Sequence, residues 1–329
     1  MQKRVVTPNE AGQRLDKLLA KHLKDAPKSF IYKMLRKKNI TLNGKKAGGS
    51  EKTCTGDEIT LWLSDETIEK FTGNAVFKRT KTHPEVIFED ANIIIMNKPA
   101  GVLSQKAAED DISINEQMIT YLLDTNQLSD SDLSVFKPSV TNRLDRNTSG
   151  LIAAGKSMAG LSGLSELFRE RKVHKFYYCI VSGIMEQPMT IQGYLTKDEQ
   201  SNKVTVTKEK TEASDFIQTA YTPLGNNQKW TFLKVELITG RTHQIRAHLA
   251  AEGHPIIGDY KYGDDKINDY FKARYHLKHQ LLHAGLLVIP KISGSLSYLS
   301  GMTFKAELPK NFKHILEGEQ LSYTEETEG

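Results

Sequence analysis

The chain has 329 residues, 26% of them charged and 38% hydrophobic, and a formal net charge of +5. That length allows one large domain with a smaller companion, and a core that needs no crosslinks. Two cysteines far apart, Cys54 and Cys179, argue against a disulfide framework and for a reducing compartment, so a cytoplasmic location is expected. The opening MQKRVVTPNEAGQRLDKLL has charges where an export signal needs an unbroken apolar run, and no later stretch is long enough to span a bilayer. No membrane partner is expected.

Positive charge is unevenly spread. Residues 1–63 hold fourteen Lys and Arg against six Asp and Glu, so the remainder of the chain is net negative. Such an excess suits a module that meets a polyanion, because cations near phosphates release counterions on binding. The plain alternative is a solvated lysine-rich face.

In chain order, residues 14–23 place Leu15, Leu18, Leu19 and Leu23 on one helical face. Pro27 suits the first turn of a second helix, which buries Phe30 or Ile31, Met34 and Leu35 and carries Lys28, Lys33, Arg36, Lys37 and Lys38. NITLNGKKA reads as a strand with an Asn43-Gly44 turn, beyond which lie Lys45 and Lys46. EITLWL alternates as another strand. Residues 1–63 are thus expected to form a compact, basic domain of two helices and a small sheet. Residues 64–84 lose periodicity and read as a linker with room for partial order. Residues 85–316 read as the large domain, and 317–329 as an acidic tail that frays.

Within 85–316, VIFED and NIIIM flank a turn, and NKPAG closes that unit. Ser113 caps a helix through about Leu123. Ser157 caps another through about Arg171, with Leu161, Leu164 and Phe168 inward. KFYYCIV, NKVTVT, SDFIQTAY and KWTFLKVEL then read as strands. Strands and helices do not alternate regularly, so an α+β domain is expected rather than a doubly wound parallel sheet.

The chemistry-bearing residues sit in two segments. TNRLDRNTSGL at 141–151 places one carboxylate, Asp145, between Arg143 and Arg146, whose charges would favour its ionised form. For a lone aspartate in a turn, a structural role would be the ordinary reading. TGRTHQIRAHLA at 239–250 follows a strand and reads as a helix start, with Thr239 or Thr242 near the cap. It crowds Arg241, His243, Gln244, Arg246 and His248 together. Arg246 sits among apolar neighbours, and a buried guanidinium needs a carboxylate, for which Asp145 is the candidate.

Two other readings fail on context. GLIAAGKS at 150–157 satisfies the phosphate-loop pattern G-x-x-x-x-G-K-[ST], but Leu151–Ala154 are apolar and read as a strand rather than a cradle. His243 and His248 are five apart, not the four that sets two histidines on one helical face, so no metal site is expected.

Taken together, RLDRNTSGL, KFYYCIV, TGRTHQIRAH and GHPIIGD resemble, in order, the RluA-type family of pseudouridine synthases. DANIIIMNKPAGV is similar to that family's opening strand and turn, and LLHAGL to its late strand. Residues 14–63 resemble an RNA-binding module shared with a small-subunit ribosomal protein, as found in RluC- and RluD-like synthases of the large ribosomal subunit. The resemblance spans about 14 to 310 and implies a pseudouridine synthase fold, a mixed and mostly antiparallel sheet flanked by helices. It implies Asp145 as the catalytic aspartate, Arg246 as its basic partner and Tyr177 as the aromatic that stacks on uracil. Arg143 would enter the helix when a nucleotide is extruded. Arg146, Arg241, His243 and Gln244 would contact RNA beside the basic N-terminal residues.

Two departures stand out: Asn142 occupies a position usually held by histidine, and LSQK at 103–106 replaces a usual histidine-proline pair. The expected activity is isomerisation of specific uridines in structured RNA, without cofactor or metal. Large-subunit (23S) rRNA is the first expected substrate and transfer RNA the second. A non-catalytic RNA-binding protein is the alternative from another class.

Overall fold

A computed structural model of the chain describes residues 1–72, 77–133, 135–198 and 203–321. Parts of the expected linker (73–76) and acidic tail (322–329), and Asn202 at the head of NKVTVT, lie outside them.

The N-terminal unit runs β1 (Gln2–Val5), α1 (Leu15–His22), α2 (Lys28–Arg36), β2 (Ile40–Leu42), β3 (Lys45–Lys46), β4 (Glu58–Leu61) and α3 (Asp65–Thr72). Its four strands form an antiparallel sheet in the order β1-β4-β2-β3. Leu15, Leu18, Leu19 and Leu23 are all buried against Ile31, Met34, Leu35, Ile40, Ile59 and Leu61. Removing each such side chain from water contributes about 1.5–3 kcal/mol. Phe30 is only partly buried; Ile31 takes the core position. Asn43 and Gly44 both have positive φ, 51° and 72°, as the tight β2–β3 turn requires.

Two features differ from the sequence reading. The edge strand β1 is mostly exposed and shows no apolar alternation, so periodicity does not reveal it. The described part of 64–84 is tied to both units rather than merely joining them. Helix α3 buries Ile68 in the N-terminal core. Past the gap, Thr80 donates its backbone N–H to Thr120 Oγ1 (2.9 Å), and Arg79 and His83 both bind Asp124. The N-terminal unit also touches the large one directly. Val135 packs into the N-terminal core, and Asn9 Oδ1 accepts the Met158 N–H (2.9 Å).

The large unit contains β5 (Glu85–Glu89), β6 (Ile93–Lys98), α4 (Ile114–Asp124), α5 (Asp130–Leu133), β7 (Ser139–Val140), β8 (Ser149–Gly155) and α6 (Met158–Arg169). It continues with β9 (His174–Ser182), β10 (Met189–Lys197), β11 (Val204–Thr207), β12 (Asp215–Asn226) and β13 (Trp230–Leu237). Last come α7 (Gln244–Ala251), α8 (Asp265–Tyr275), β14 (Leu282–Val288), β15 (Thr303–Lys305) and α9 (Lys310–Gly318). The sheet order is β11-β10-β12-β13-β9-β14-β8-β6-β5, with β15 on β14 and β7 on β8. Among the described strands only β14 and β8 pair in parallel, so the architecture is the mixed, mostly antiparallel α+β sheet expected.

The segment carrying the phosphate-loop pattern is β8 itself, buried along its whole length. Gly150 at its start has φ +114°, and a Cβ there would fall 2.2 Å from Ala284 O, so the close parallel crossing of β8 and β14 demands glycine. In α6 the buried residues are Gly160, Leu164 and Leu167, while Leu161 and Phe168 are only partly covered. The chain beyond Leu316 does not fray at once. Helix α9 reaches Gly318, Leu321 is buried, and Glu319 accepts hydrogen bonds from Trp230 Nε1 (3.1 Å) and Tyr275 OH (2.8 Å). Among the described residues no helix is long and apolar enough to cross a membrane.

Candidate active site

The loop between β7 and β8 carries Asp145 to the floor of an open cleft of about 1170 Å³. Its backbone is tied down from below. Ser104 Oγ donates to Leu144 O (2.8 Å) and accepts the Leu144 N–H (3.0 Å). Lys98, fully buried, donates Nζ to the carbonyls of Pro99 (3.1 Å), Val102 (2.7 Å) and Arg146 (3.0 Å). Burial lowers the Lys98 pKa to about 7, while the nearby Asp145 charge opposes that shift.

Arg246, one turn into α7, donates Nη1 to Asp145 Oδ2 at 2.8 Å. The expected pairing is thus present, but Asp145 is not the main partner. Asp259, 1% exposed, takes Nε (2.7 Å) and Nη2 (2.9 Å) of Arg246 in a two-pronged contact. Asp259 is held in turn by the backbone N–H groups of Lys261 and Tyr262, and the Tyr262 ring lies 5.1 Å from the guanidinium centre. Burial alone would lower the Arg246 pKa. Hydrogen bonds and charge from Asp259, then Asp145, carry it above the usual arginine value. Three acceptors and an aromatic face therefore hold one planar cation at one angle.

Tyr177 projects from β9, which pairs with β13 and β14. Burial, and secondarily the Asp145 charge, push its phenol above the usual range, so the hydroxyl stays protonated near neutrality. His243 precedes α7 in the left-handed region (φ 55°), with Nδ1 2.9 Å from Tyr262 OH and Nε2 3.9 Å from Asp145 Oδ2. Burial lowers its pKa, Asp145 opposes, and the Arg246 and Lys261 charges lower it further.

The structure redistributes several expected roles. Neither arginine flanking Asp145 contacts it: Arg146 Nε donates to Gly101 O (3.2 Å), and Arg143 is exposed on the cleft wall. Sequence neighbours in a sharp loop point apart, and the charge partner comes from a distant helix. Gln244 is buried, its amide engaged with Gln218 O, Thr219 Oγ1, Thr239 Oγ1 and the Arg241 N–H, so it joins β12 to α7 and has no capacity left for RNA. Neither Thr239 nor Thr242 caps α7; the cap position is His243, with no side-chain cap bond. His248 is fully buried against Thr219 Oγ1 (3.1 Å), a structural histidine.

Arg241 lines the cleft, paired with Asp215 (2.8 Å). Asn142 uses its side-chain amide as a substitute peptide, accepting the Ala153 N–H (2.8 Å) and donating to Leu151 O (3.3 Å). Lys28, Lys33, Arg36, Lys37, Lys38, Lys45 and Lys46 lie on the N-terminal unit, outside the cleft lining. Sequence reasoning missed Asp259, Lys98, Ser104 and Tyr262. Asp259 and Lys98 do stand in the GHPIIGD and NKPAG motifs, but nothing local marks either as buried.

Eleven Lys and Arg residues line the cleft against two carboxylates, both held by Arg246, so the wall faces its ligand with net positive charge. A basic cleft with one accessible carboxylate beside a buried tyrosine defines an enzyme site for a polyanion. Residues 92–251 match a family model described as RNA pseudouridylate synthase. A Ribosomal large subunit pseudouridine synthase C from Rickettsia bellii is 31% identical over 94% of this chain and 100% of its own length. Its Vibrio vulnificus counterpart is 29% identical over 83% of this chain and 84% of its own. Among solved structures, Human RNA Pseudouridylate Synthase Domain Containing 4 is similar in fold, with TM-score 0.58 and 22% identity over 72% of this chain and 94% of that one. The chain belongs to the RluA-type family of RNA pseudouridine synthases, enzymes of the isomerase class.

Proposed function

We propose that the protein isomerises specific uridines of large-subunit rRNA, with Asp145 as the catalytic group and the target nucleotide flipped into the cleft. The observation that carries this is the Asp145–Arg246 contact of 2.8 Å at the floor of a cation-lined cleft. Asp145 keeps 24% side-chain exposure, so a flipped nucleotide can reach it, whereas Asp259 at 1% is sealed off. The rRNA assignment is supported by relatives named as large-subunit synthases.

A uridine inside folded RNA cannot present its glycosidic bond until it is extruded, at a cost of about a few kcal/mol. Cationic contacts with the backbone offset that cost, and Arg143, exposed on the cleft wall, would fill the vacated stack. Tyr177 then supplies a ring for the base. Asp145 attacks ribose C1′ or uracil C6, or takes a proton from the sugar; all three routes need a carboxylate at this place. The N1–C1′ bond breaks, C5–C1′ forms, the C5 proton departs and N1 gains one. The atom and electron counts are unchanged, so the reaction asks for no redox carrier or co-substrate.

Carbodiimide mapping of pseudouridine in total RNA, with and without the gene, tests this reading. Signals should disappear from large-subunit rRNA in the deletion, return with the wild-type gene and stay absent with Asp145→Asn. Loss from transfer RNA alone would move the substrate to that class. Full complementation by D145N would remove Asp145 from the chemistry and return the protein to an RNA-binding role.

A further inference from the structure

Lys175 lies on β9 two residues before Tyr177, so the two side chains leave the same face of the strand about 7 Å apart. Both line the cleft. Lys175 is half-buried, and among the described residues its side chain makes no ion pair or hydrogen bond. Burial lowers its pKa, and the Arg171 charge lowers it further; among the described residues no carboxylate pairs with it. A lysine whose stem merely covers apolar surface would extend its head into water. Here Nζ instead lies 3.4 Å from where a Cβ on Gly240 would sit, against the loop leading into α7. That spacing is ordinary van der Waals contact, so the ammonium lies alongside this backbone rather than out in solvent.

A partly desolvated cation with a second cation beside it and no anion is unfavourable unless a ligand brings the anion. The substrate carries one phosphate per nucleotide. We propose that Lys175, with Arg171 beside it, binds the RNA phosphate adjoining the extruded uridine and thereby registers that nucleotide over Tyr177 and Asp145. This rests on the flipped-uridine reading above. It separates Lys175 from the general basic surface: rim lysines gather RNA, whereas this one meets one defined linkage.

The test uses full-length protein and an unmodified large-subunit rRNA transcript containing a mapped target uridine. Lys175→Met should raise KM about tenfold or more, as loss of a charge-assisted bond implies, and lower the salt slope of binding by about one unit. Lys175→Arg should restore most of both. Thermal stability of K175M should match or exceed wild type, since an uncompensated charge is removed; Lys175→Gln carries the same measurements if K175M folds poorly.

A stem-loop series with one neutral methylphosphonate at each linkage flanking the target supplies the decisive arm. At one linkage the substitution should weaken wild type but leave K175M unaffected. The inference is overturned if K175M matches wild type in KM and salt slope, or if every neutral linkage weakens both proteins equally. Wild-type pseudouridine formation on the same transcript is scored separately. If it occurs while Lys175 proves indifferent, only this inference falls; if it does not occur, the functional reading falls and takes the inference with it.

Discussion

Asp259 binds Arg246 through two nitrogens, whereas Asp145 receives a single one, at 2.8 Å. The arginine is therefore anchored to a carboxylate sealed from solvent, and it presents its remaining nitrogen to the one that stays accessible in the cleft. Asp259→Ala should strand a buried guanidinium and cost about 3–5 kcal/mol of stability in urea unfolding. Asp259→Asn, which keeps the shape, should fold but lower kcat roughly 10²-fold with little change in RNA affinity. An unchanged kcat for D259N would mean that Asp145 needs no such anchoring.

Tyr177 combines a ring in the main core with a phenol held protonated by burial and, secondarily, by the Asp145 charge. Tyr177→Phe should leave stability and RNA affinity near wild type and confine any loss to turnover. Tyr177→Ala removes a core ring and should cost about 3–5 kcal/mol. Single-turnover assays beside thermal melts separate the two effects. A gain in the Tyr177-dependent rate between pH 8 and 10 would contradict the protonated phenol.

Lys98 titrates near 7 in the fold against about 10.4 in an unfolded chain. The charged form is the disfavoured one, so its penalty is complete below pH 7 and shrinks as pH rises toward the unfolded value. Wild-type stability should accordingly climb relative to Lys98→Met between pH 7 and 10, as read by urea midpoints at a series of pH values. Parallel curves would show that the three carbonyls already compensate the charge. K98M should also lose turnover at every pH, because the loop carrying Asp145 loses its tether to the Arg146 carbonyl.

The cations of α2 and of its C-cap, Lys37, lie outside the cleft, and neutralising Lys28, Lys33, Arg36 and Lys37 together tests whether they touch RNA. The salt slope should fall by roughly 0.7–0.9 for each phosphate that is no longer neutralised, while kcat at saturating RNA stays unchanged. If affinity and slope do not move, the N-terminal surface is only a solvated face.

The parts legible in the sequence were those governed by short periods. The α1 leucines, the Asn43-Gly44 turn and the Ser113 and Ser157 helix starts follow from spacing and backbone preference, and each stands where expected. The partner of Asp145 was also accessible, because Arg246 sits among apolar residues and had to be neutralised. What stayed hidden depends on tertiary placement. Asp259 looks like any loop aspartate until Arg246 arrives, and Lys98 looks like a surface lysine until three carbonyls close around it. Gln244 misled for the converse reason, since a polar residue beside a site can be wholly spent on its neighbours. Arg143 and Arg146 show that adjacency along a loop says little about adjacency in space.

The Asn9–Met158 hydrogen bond and the seating of Val135 in the N-terminal core fix the two bodies against each other on both sides of the connecting segment. An RNA that touches both must offer its two docking points at one separation and one angle. Should the N-terminal cations prove to bind RNA, so rigid a pair would gauge a uridine by its distance from a second landmark in the folded RNA, and a transcript lacking that landmark would be passed over even with the same bases around the target.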